Sequence, residues 1–205
     1  MAKPNPSRAG SRPRRPASAD RPAGKLPPAD RARRSAGAWT IFLATAIVTA
    51  AVDLLTKHLA FRHLLSARAG ELTVIPGLLR LKCSTNAGAV FGVQLPSWLI
   101  LVATAAAVVA VFALFAGSAR LARWLHLALG MVMGGALGNA YDRLFSAVEF
   151  PHETAARTRV VRDFIDLYLG RYHWPTFNLA DVWLVAGVGL ILLHAFRRHT
   201  REEGQ

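Results

Sequence analysis

Four long apolar segments dominate the sequence and limit the folds open to it more than any other feature. They run from about Ala38 to Ala60, from Trp98 to Ala116, from Leu121 to Tyr141 and from Leu179 to Phe196. A helix needs about 20 mostly apolar residues to cross the hydrocarbon core of a bilayer, and each segment is close to that length. We therefore expect an all-α membrane protein, folded as a bundle of four transmembrane helices.

The segment before the first apolar run has the opposite character. The chain has a formal net charge of +13, and its first 34 residues hold ten of the 25 Lys and Arg residues and seven of the 11 Pro residues. Such a segment buries too little apolar surface to offset its chain entropy, so we predict a disordered basic tail over residues 1–37. Its charge could neutralise nucleic acid phosphates, but its place directly before a membrane segment favours contact with anionic lipid, and we expect no nucleic acid partner.

The distribution of Lys and Arg also predicts an orientation. With the N-terminus inside, the predicted inner segments hold fifteen basic residues and the two outer loops hold nine. This excess favours a cytoplasmic position for both termini. Residues 38–196 would then form the membrane domain, and residues 197–205 a short cytoplasmic tail.

The first predicted outer loop has strand character. Two short runs, Glu71–Ile75 and Leu78–Cys83, flank the turn signal Pro76–Gly77, and the second run alternates apolar and polar residues. This pattern predicts a small β-hairpin on the membrane surface. Cys83 is the chain's one cysteine, so we interpret it as a small strand residue without a disulfide partner. The second outer loop, residues 144–162, is polar and mixed in charge.

Two charged residues lie within the first apolar segment. Asp53 and Lys57 are four residues apart, so they can pair on one face of a helix. Ionisable residues inside spanning helices are costly and mark functional sites by default. A structural ion pair that holds the helix end is nevertheless the interpretation we favour over a direct functional role. In either case the pair should face the bundle and not lipid.

Two further carboxylates, Asp163 and Asp181, lie beside apolar residues at the predicted outer side. Two carboxylates held together near a low dielectric cannot both ionise, so they share a proton. The ionised member can activate a water as a general base, while the protonated member polarises the carbonyl of a peptide bond. This chemistry is that of an aspartyl peptidase, and it requires no cofactor.

Other functional classes fit the sequence less well. A zinc peptidase helix needs two His four apart around a Glu, and Ala156 stands where the second His after His152–Glu153 should be. We therefore expect no metal site. A small proton-coupled transporter would need ionisable residues across the bilayer depth, whereas here they gather at one side. A non-enzymatic membrane assembly protein, whose Asn and Asp residues only join helices, is the remaining alternative.

Five motifs, taken together, resemble the bacterial lipoprotein signal peptidases, also called signal peptidase II. They occur in the family's order within residues 38–196: Asp53–Lys57, Asn86–Phe91, the block Gly-Gly-Ala-x-Gly-Asn-x-x-Asp-Arg at 134–143, Asp163–Asp166 and Phe177–Asp181. Each motif alone is weak, but five in order on a four-helix scaffold are specific.

The resemblance implies an intramembrane aspartyl endopeptidase of the bacterial cytoplasmic (inner) membrane. It would remove the signal peptide from diacylglyceryl-modified prolipoproteins, cutting just before the lipidated cysteine. Asp163 and Asp181 would form the catalytic pair near the outer face. The residues implied to line the site are Asn86, Asn139, Asp142, Arg143 and Asn178. Prolipoprotein substrates and membrane lipid are the expected partners, and we expect a monomer.

Two departures from the family pattern concern the second outer loop. The 19 residues between Arg143 and Asp163 exceed the family's usual short link. Arg162 also stands where the family usually has a small apolar residue. A cation beside Asp163 would lower the pKa of that carboxyl if it pointed inward. The geometry of this loop is therefore left open by the sequence.

Overall fold

The computed structural model describes residues 28–66, 70–90, 93–151 and 153–203. Four long helices occupy the four predicted segments: α1 (Ala36–Ser66), α2 (Ser97–Gly117), α3 (Arg123–Phe145) and α4 (Leu179–Glu203). The helical segments are thus confirmed, although α1 and α4 continue well past the ends of the apolar runs. We call the end of the bundle where α1 and α3 finish and α4 begins its sheet end.

Three of the helices are apolar enough to cross a membrane. They are α1, α2 and the Leu179–Arg197 part of α4, and α3 is not among them within the described residues. The reason is that α3 packs against the other helices and carries polar residues there, including the fully buried His126 and Asp142. The protein is therefore a membrane protein with three apolar candidate spans, and the four-span bundle stays a prediction.

Glycines in the middle of α3 let its neighbours approach closely on two sides. A Cβ atom added to Gly134 would lie 1.9 Å from Thr49 Oγ1 of α1, and one added to Gly135 would lie 2.6 Å from the Ala180 carbonyl of α4. Small residues permit such close backbone contacts between membrane helices. This packing brings the last two turns of α3 between α1 and the start of α4.

A four-stranded antiparallel sheet covers the sheet end. Its strands lie in the order β1 (Glu71–Ile75), β2 (Leu79–Asn86), β7 (Val161–Leu169) and β8 (Tyr172–His173). The predicted β1–β2 hairpin is confirmed, with a left-handed Gly77 (φ 81°) in its turn. The sheet is larger than the single hairpin that the sequence predicts beside the four helices. Strand β7 was not expected, because its pairing with β2 joins segments far apart in sequence.

Four short strands complete the sheet end. Strands β3 (Ala89–Val90) and β4 (Val93–Gln94) pair, as do β5 (Ala147–Val148) and β6 (Arg157–Thr158). The long loop between α3 and β7 is therefore folded back on itself. It is anchored in an apolar cluster whose members are Phe61, Val148, Val160 and Phe164.

The segment before α1 is partly ordered, which corrects the predicted tail. Two 3-10 turns, Pro28–Asp30 and Ala32–Arg34, pack against the turn between α2 and α3. The Ala32 N–H donates to the Ser118 carbonyl at 2.9 Å, and Ala32 is fully buried. Predicted disorder therefore does not reach residue 37, because backbone pairing and an apolar contact hold this part. Residues 1–27 of the predicted tail lie outside the described residues.

The close contact at Gly134 leads to a stability prediction. Gly134→Ala should lower the free energy of unfolding in detergent by about 1–3 kcal/mol, the usual cost of overpacking, because the new methyl group meets α1. Gly189→Ala is the matched control, since a Cβ at Gly189 of α4 meets nothing within 4 Å. Thermal unfolding of both variants measures the effect. Equal melting temperatures would contradict the close α1–α3 contact.

Candidate active site

A buried lysine lies at the centre of the sheet end. Lys57 is 0% exposed, and its Nζ is 2.7 Å from Asp53 Oδ2 and 3.4 Å from Asp142 Oδ2. It also donates to Asn139 Oδ1 at 2.8 Å. One ammonium thus joins two carboxylates and an amide from α1 and α3. Burial of charge is costly unless the charges are paired and hydrogen-bonded, and this arrangement meets both conditions.

The Asp53 carboxylate ties this ion pair to α4. Its Oδ1 accepts a hydrogen bond at 2.8 Å from the backbone N–H of Ala180, in the first turn of α4. An anion at a helix N-terminus satisfies a backbone donor that has no partner within the helix. Asp53 and Lys57 therefore fix the start of α4 and not only the end of α1.

The Asn139 side chain connects the Lys57 ion pair to Asp181 through hydrogen bonds. An ammonium only donates hydrogen bonds, so the oxygen of the Asn139 amide must face Lys57. The amide nitrogen then points the other way, where it donates to Asp181 Oδ1 at 2.9 Å. The buried lysine thereby determines which end of the amide the Asp181 carboxylate meets.

Asn178 contacts both candidate catalytic carboxylates. Its Nδ2 donates to Asp163 Oδ1 at 2.6 Å, and its backbone N–H donates to Asp181 Oδ2 at 3.2 Å. The Asp181 N–H returns a hydrogen bond to Asn178 Oδ1 at 3.2 Å. This reciprocal pattern, with the acid three residues after the cap, is the arrangement of a helix capping box. The sequence Asn178-Leu179-Ala180-Asp181 thus starts α4 and holds the two acids in reach of one residue.

Strand β7 positions Asp163 next to Asn178. The N–H groups of Phe164 and Ile165 donate to the Phe177 carbonyl at 3.1 and 2.9 Å, which binds the strand to the residue before Asn178. Asp163 itself pairs with Ser84 of β2 in the sheet register and is only 4% exposed. The second acid therefore depends on the unexpected sheet for its position.

Burial raises the pKa of the Asp163 carboxyl to about 7. The hydrogen bond from Asn178 lowers this pKa, and the negative charge of Asp181 raises it. The charges of Lys57 and Arg143 oppose the rise. Asp163 and Asp181 are therefore close enough to affect each other, and Asp163 holds its proton up to near-neutral pH.

Arg162 contacts Asp142 and not the carboxylate beside it in sequence. Its Nε and Nη2 lie 3.0 and 2.6 Å from Asp142 Oδ1, and its backbone N–H donates to Asp142 Oδ2 at 3.0 Å. The sequence predicted that Arg162 would lower the pKa of Asp163 if its side chain pointed towards the site, and here it points to Asp142. Arg162 instead fastens the start of β7 to the end of α3.

Two other polar residues of the sheet have further contacts of their own. Asn86 ends β2, and its Oδ1 accepts from the Gly88 N–H at 2.8 Å, which shapes the turn that follows. Asp166 is fully buried but forms ion pairs with Arg80 and Lys82 of β2. It is thus held by the sheet and does not join the Asp163–Asp181 pair.

Comparison with known proteins identifies the family of this arrangement. Residues 45–197 match the family described as Signal peptidase (SPase) II. The chain belongs to the signal peptidase II family. The lipoprotein signal peptidase of Nitratidesulfovibrio vulgaris (strain DP4) is 36% identical over 172 residues, which cover 81% of this chain and 95% of the relative. That of Aquifex aeolicus (strain VF5) is 33% identical over 167 residues, covering 78% and 87%.

Solved structures agree with this assignment at the level of the fold. Two bacterial membrane enzyme structures superpose with TM-scores of 0.61 and 0.59, at 24% and 26% identity. They cover 78% and 74% of this chain and 92% and 90% of their own. The resemblance inferred from the five motifs is therefore confirmed, and this signal peptidase II chain is a peptidase that acts in lipoprotein processing.

In this signal peptidase II chain, the structure brings most predicted site residues together. Hydrogen bonds link Asn139 and Asn178 directly to the two acids, and the Arg143 charge acts on Asp163. The sequence alone did not identify Arg162 as a partner of Asp142. Its one signal was the presence of a cation at a position where the family usually has a small apolar residue.

The raised pKa of Asp163 predicts a pH-dependent effect on stability. The pKa of this carboxyl is near 4 in the unfolded chain and near 7 in the folded protein. As the pH rises from 4 to 7, the carboxyl therefore destabilises the folded state by an increasing amount. Asp163→Asn keeps the acceptor for Asn178 and removes this cost. It should therefore raise the free energy of unfolding by about 2–4 kcal/mol at pH 8, since one pKa unit is about 1.4 kcal/mol, and by much less at pH 4.

Asp166→Asn is the control for this prediction, with the opposite sign. Burial alone would raise the Asp166 pKa, but hydrogen bonds from Arg80 and Lys82 outweigh burial and lower it. The stabilising ionisation is present at pH 8 and lost as pH falls below the usual aspartate range. Asp166→Asn should therefore be destabilising at pH 8. Unfolding of both variants in detergent at pH 4 and 8 gives the comparison, and a destabilised Asp163→Asn at pH 8 would contradict the raised pKa.

Proposed function

We propose that this chain is an intramembrane aspartyl endopeptidase whose catalytic pair is Asp163 and Asp181. The observation that carries the proposal is that Asn178 contacts both carboxylates, although the two have different surroundings. Asp163 is buried on a strand and keeps a proton near neutral pH, whereas Asp181 accepts two hydrogen bonds at the start of a helix. Such an unequal pair can act as acid and base at once.

The roles follow from these surroundings. Asp181 accepts a proton from a water, and the resulting hydroxide adds to the carbonyl carbon of the scissile peptide bond. Asp163 donates its proton to the carbonyl oxygen, where negative charge develops. When the tetrahedral intermediate collapses, Asp163 recovers its proton and Asp181 passes its own to the leaving nitrogen. Hydrogen bonds from Asn139 and Asn178 keep both carboxylates oriented throughout.

Diacylglyceryl-modified prolipoproteins are the proposed substrates, with cleavage just before the lipidated cysteine. The relatives named above as lipoprotein signal peptidases support this specificity. Arg143 has a planar guanidinium suited to a substrate carbonyl, and Asn86 lies at the end of β2 beside the strand that carries Asp163. We propose that these two residues, with Asn139, Asp142 and Asn178, line the substrate site of a monomer surrounded by membrane lipid.

The proposed topology has four spans in the bacterial cytoplasmic membrane. Helix α3 would be the fourth span in spite of its polar residues, because Asn139 and Asp142 contact Lys57 of α1 and His126 contacts Ser118 in the turn before α3. The excess of basic residues in the inner segments supports a cytoplasmic position for both termini. The sheet end, with the catalytic pair, would then lie at the outer face, where a signal peptide leaves the membrane.

Asp163→Asn and Asp181→Asn should each reduce cleavage of a lipidated prolipoprotein in detergent by at least about 10³-fold, because each removes the acid or the base. Asp166→Asn is the matched control, as a buried carboxylate on the same strand that contacts other partners. It should retain activity within about tenfold. Gel-filtration profiles and circular dichroism establish that all three variants are folded. Substantial turnover by either catalytic variant would exclude the proposed pair.

Thiol labelling tests the proposed orientation. In a Cys83→Ala background, single cysteines replace four exposed residues: Thr73, Arg171, Leu121 and Thr200. An impermeant reagent should label the first two in intact spheroplasts, because they lie on the sheet side, and the last two only after lysis. The reverse pattern would put the carboxylates on the cytoplasmic side, and the proposed role in outer-face processing would fail.

A further inference from the structure

Two adjacent cavities flank the bundle away from the catalytic pair. Their volumes are about 910 and 320 Å³, and His58, Ala147 and Arg162 line both. Both lie between the last turns of α1, the end of α3 and the loop joining α3 to β7, and we call the two together the α1–α3 groove. Neither Asp163 nor Asp181 lines it.

The groove is lined by both apolar and charged residues. The smaller cavity is lined by Leu54 of α1 and by Tyr141 and Phe145 of α3, which are 47% and 68% exposed. The larger cavity is lined by charged residues as well, among them Arg62 and Glu149. Because His58 and Arg162 line both cavities, the groove places apolar side chains beside charged ones, which fits a ligand with one apolar part and one charged part.

The length of α1 places the groove at a membrane interface. A helix of 31 residues spans about 46 Å at a rise of about 1.5 Å per residue, whereas the hydrocarbon core is about 30 Å thick. The last turns of α1, which carry His58 and Arg62, therefore project to the level of lipid headgroups. Tyr141 and Phe145 lie on the same side of the groove, with aromatic rings that suit the interface.

Two of the charged residues in the larger cavity are opposite in sign and unpaired. Within the part of the chain that the structure describes, neither Arg62 nor Glu149 forms an ion pair, although Arg62 is on α1 and Glu149 on the facing loop. Glu153, a second acid of the lining, is already paired with Arg157. A cation and an anion on opposite walls are complementary to a zwitterion that carries both charges.

We propose that the α1–α3 groove binds one zwitterionic glycerophospholipid with a primary-amine headgroup, such as phosphatidylethanolamine. Its phosphate contacts Arg62, its ammonium donates hydrogen bonds to Glu149, and an acyl chain lies along Leu54, Tyr141 and Phe145. A resident lipid of this kind would be separate from the substrate, since the groove lies outside the catalytic pair. The loop that forms one wall is the segment in which this chain is longer than the family pattern.

Native mass spectrometry of the full chain in detergent tests the proposal without measuring turnover, so its outcome is independent of the proposed catalytic pair. We expect phosphatidylethanolamine to bind about tenfold more tightly than phosphatidylglycerol, which has the phosphate but no ammonium for Glu149. Phosphatidylcholine should fall between them, because its quaternary ammonium cannot donate a hydrogen bond. Equal affinity for the three lipids would overturn the headgroup assignment.

Matched variants separate this groove from general lipid adhesion. Arg62→Gln and Glu149→Gln should each weaken phosphatidylethanolamine binding by about tenfold, because each removes one charge-assisted contact. Arg171→Gln and Glu71→Gln remove the same charges outside the groove and should leave binding unchanged. Ala147→Trp fills the region shared by the two cavities and should abolish the bound lipid. Unaltered binding in the groove variants, or equal losses in the controls, would overturn the site.

A competition experiment distinguishes a resident lipid from the lipid part of the substrate. The probe is a diacylglyceryl-modified prolipoprotein peptide added to the Asp181→Asn variant already loaded with phosphatidylethanolamine. We expect a ternary complex that retains the phospholipid while the peptide binds. Stoichiometric displacement of phosphatidylethanolamine by the peptide would show that the groove is part of the substrate site, and the proposal of a separate lipid site would fail.

Discussion

The buried ammonium of Lys57 is the interaction on which the rest of the sheet end depends. It neutralises carboxylates from α1 and α3, and it determines the orientation of the Asn139 amide that meets Asp181. Removing one partner of a buried ion pair leaves an uncompensated charge in a low dielectric, which costs several kcal/mol. The positions of three helices are therefore coupled through one side chain. We expect substitutions at this lysine to alter both folding and catalysis.

The same coupling explains why α3 does not have the composition of a lipid-exposed span. Its polar residues have partners on α1, on β7 and on α4, and its glycines admit the neighbouring backbones. A helix whose middle is buried by other parts of the protein needs little apolar surface there. Helices α1, α2 and α4 all pack against α3, which carries three of the site residues, Asn139, Asp142 and Arg143.

Much of the site could be predicted because its residues lie in short local patterns. Asp53 and Lys57 are one helical turn apart, and Asn178 and Asp181 have the spacing of a helix cap. The sheet was harder to foresee. Leu79 pairs with Leu167, and Ser84 with Asp163, across about eighty residues or more that include two helices. No local pattern specifies a pairing of that range. Arg162 was equally hidden, because its partner Asp142 is known only once β7 is placed.

Loop length limited the prediction in a different way. The sequence showed that the segment between Arg143 and Asp163 is long and polar, but polarity alone does not distinguish an irregular loop from a folded one. The structure shows a short hairpin of β5 and β6, held by Val148 and Val160 in a cluster with Phe61. Two apolar side chains thus anchor an otherwise polar segment. The overall composition of a segment does not reveal a tertiary contact made by only two of its residues.

Asn178 has a consequence for how the enzyme would lose activity. This residue caps α4. Its side chain contacts Asp163, and its backbone N–H contacts Asp181. Helix ends fray more readily than helix centres, and local openings of this kind occur at far lower free energy than global unfolding. A single frayed turn at the start of α4 would separate the two acids while the bundle stayed intact. Heat inactivation would then precede the melting of the helices, and it would be reversible on cooling.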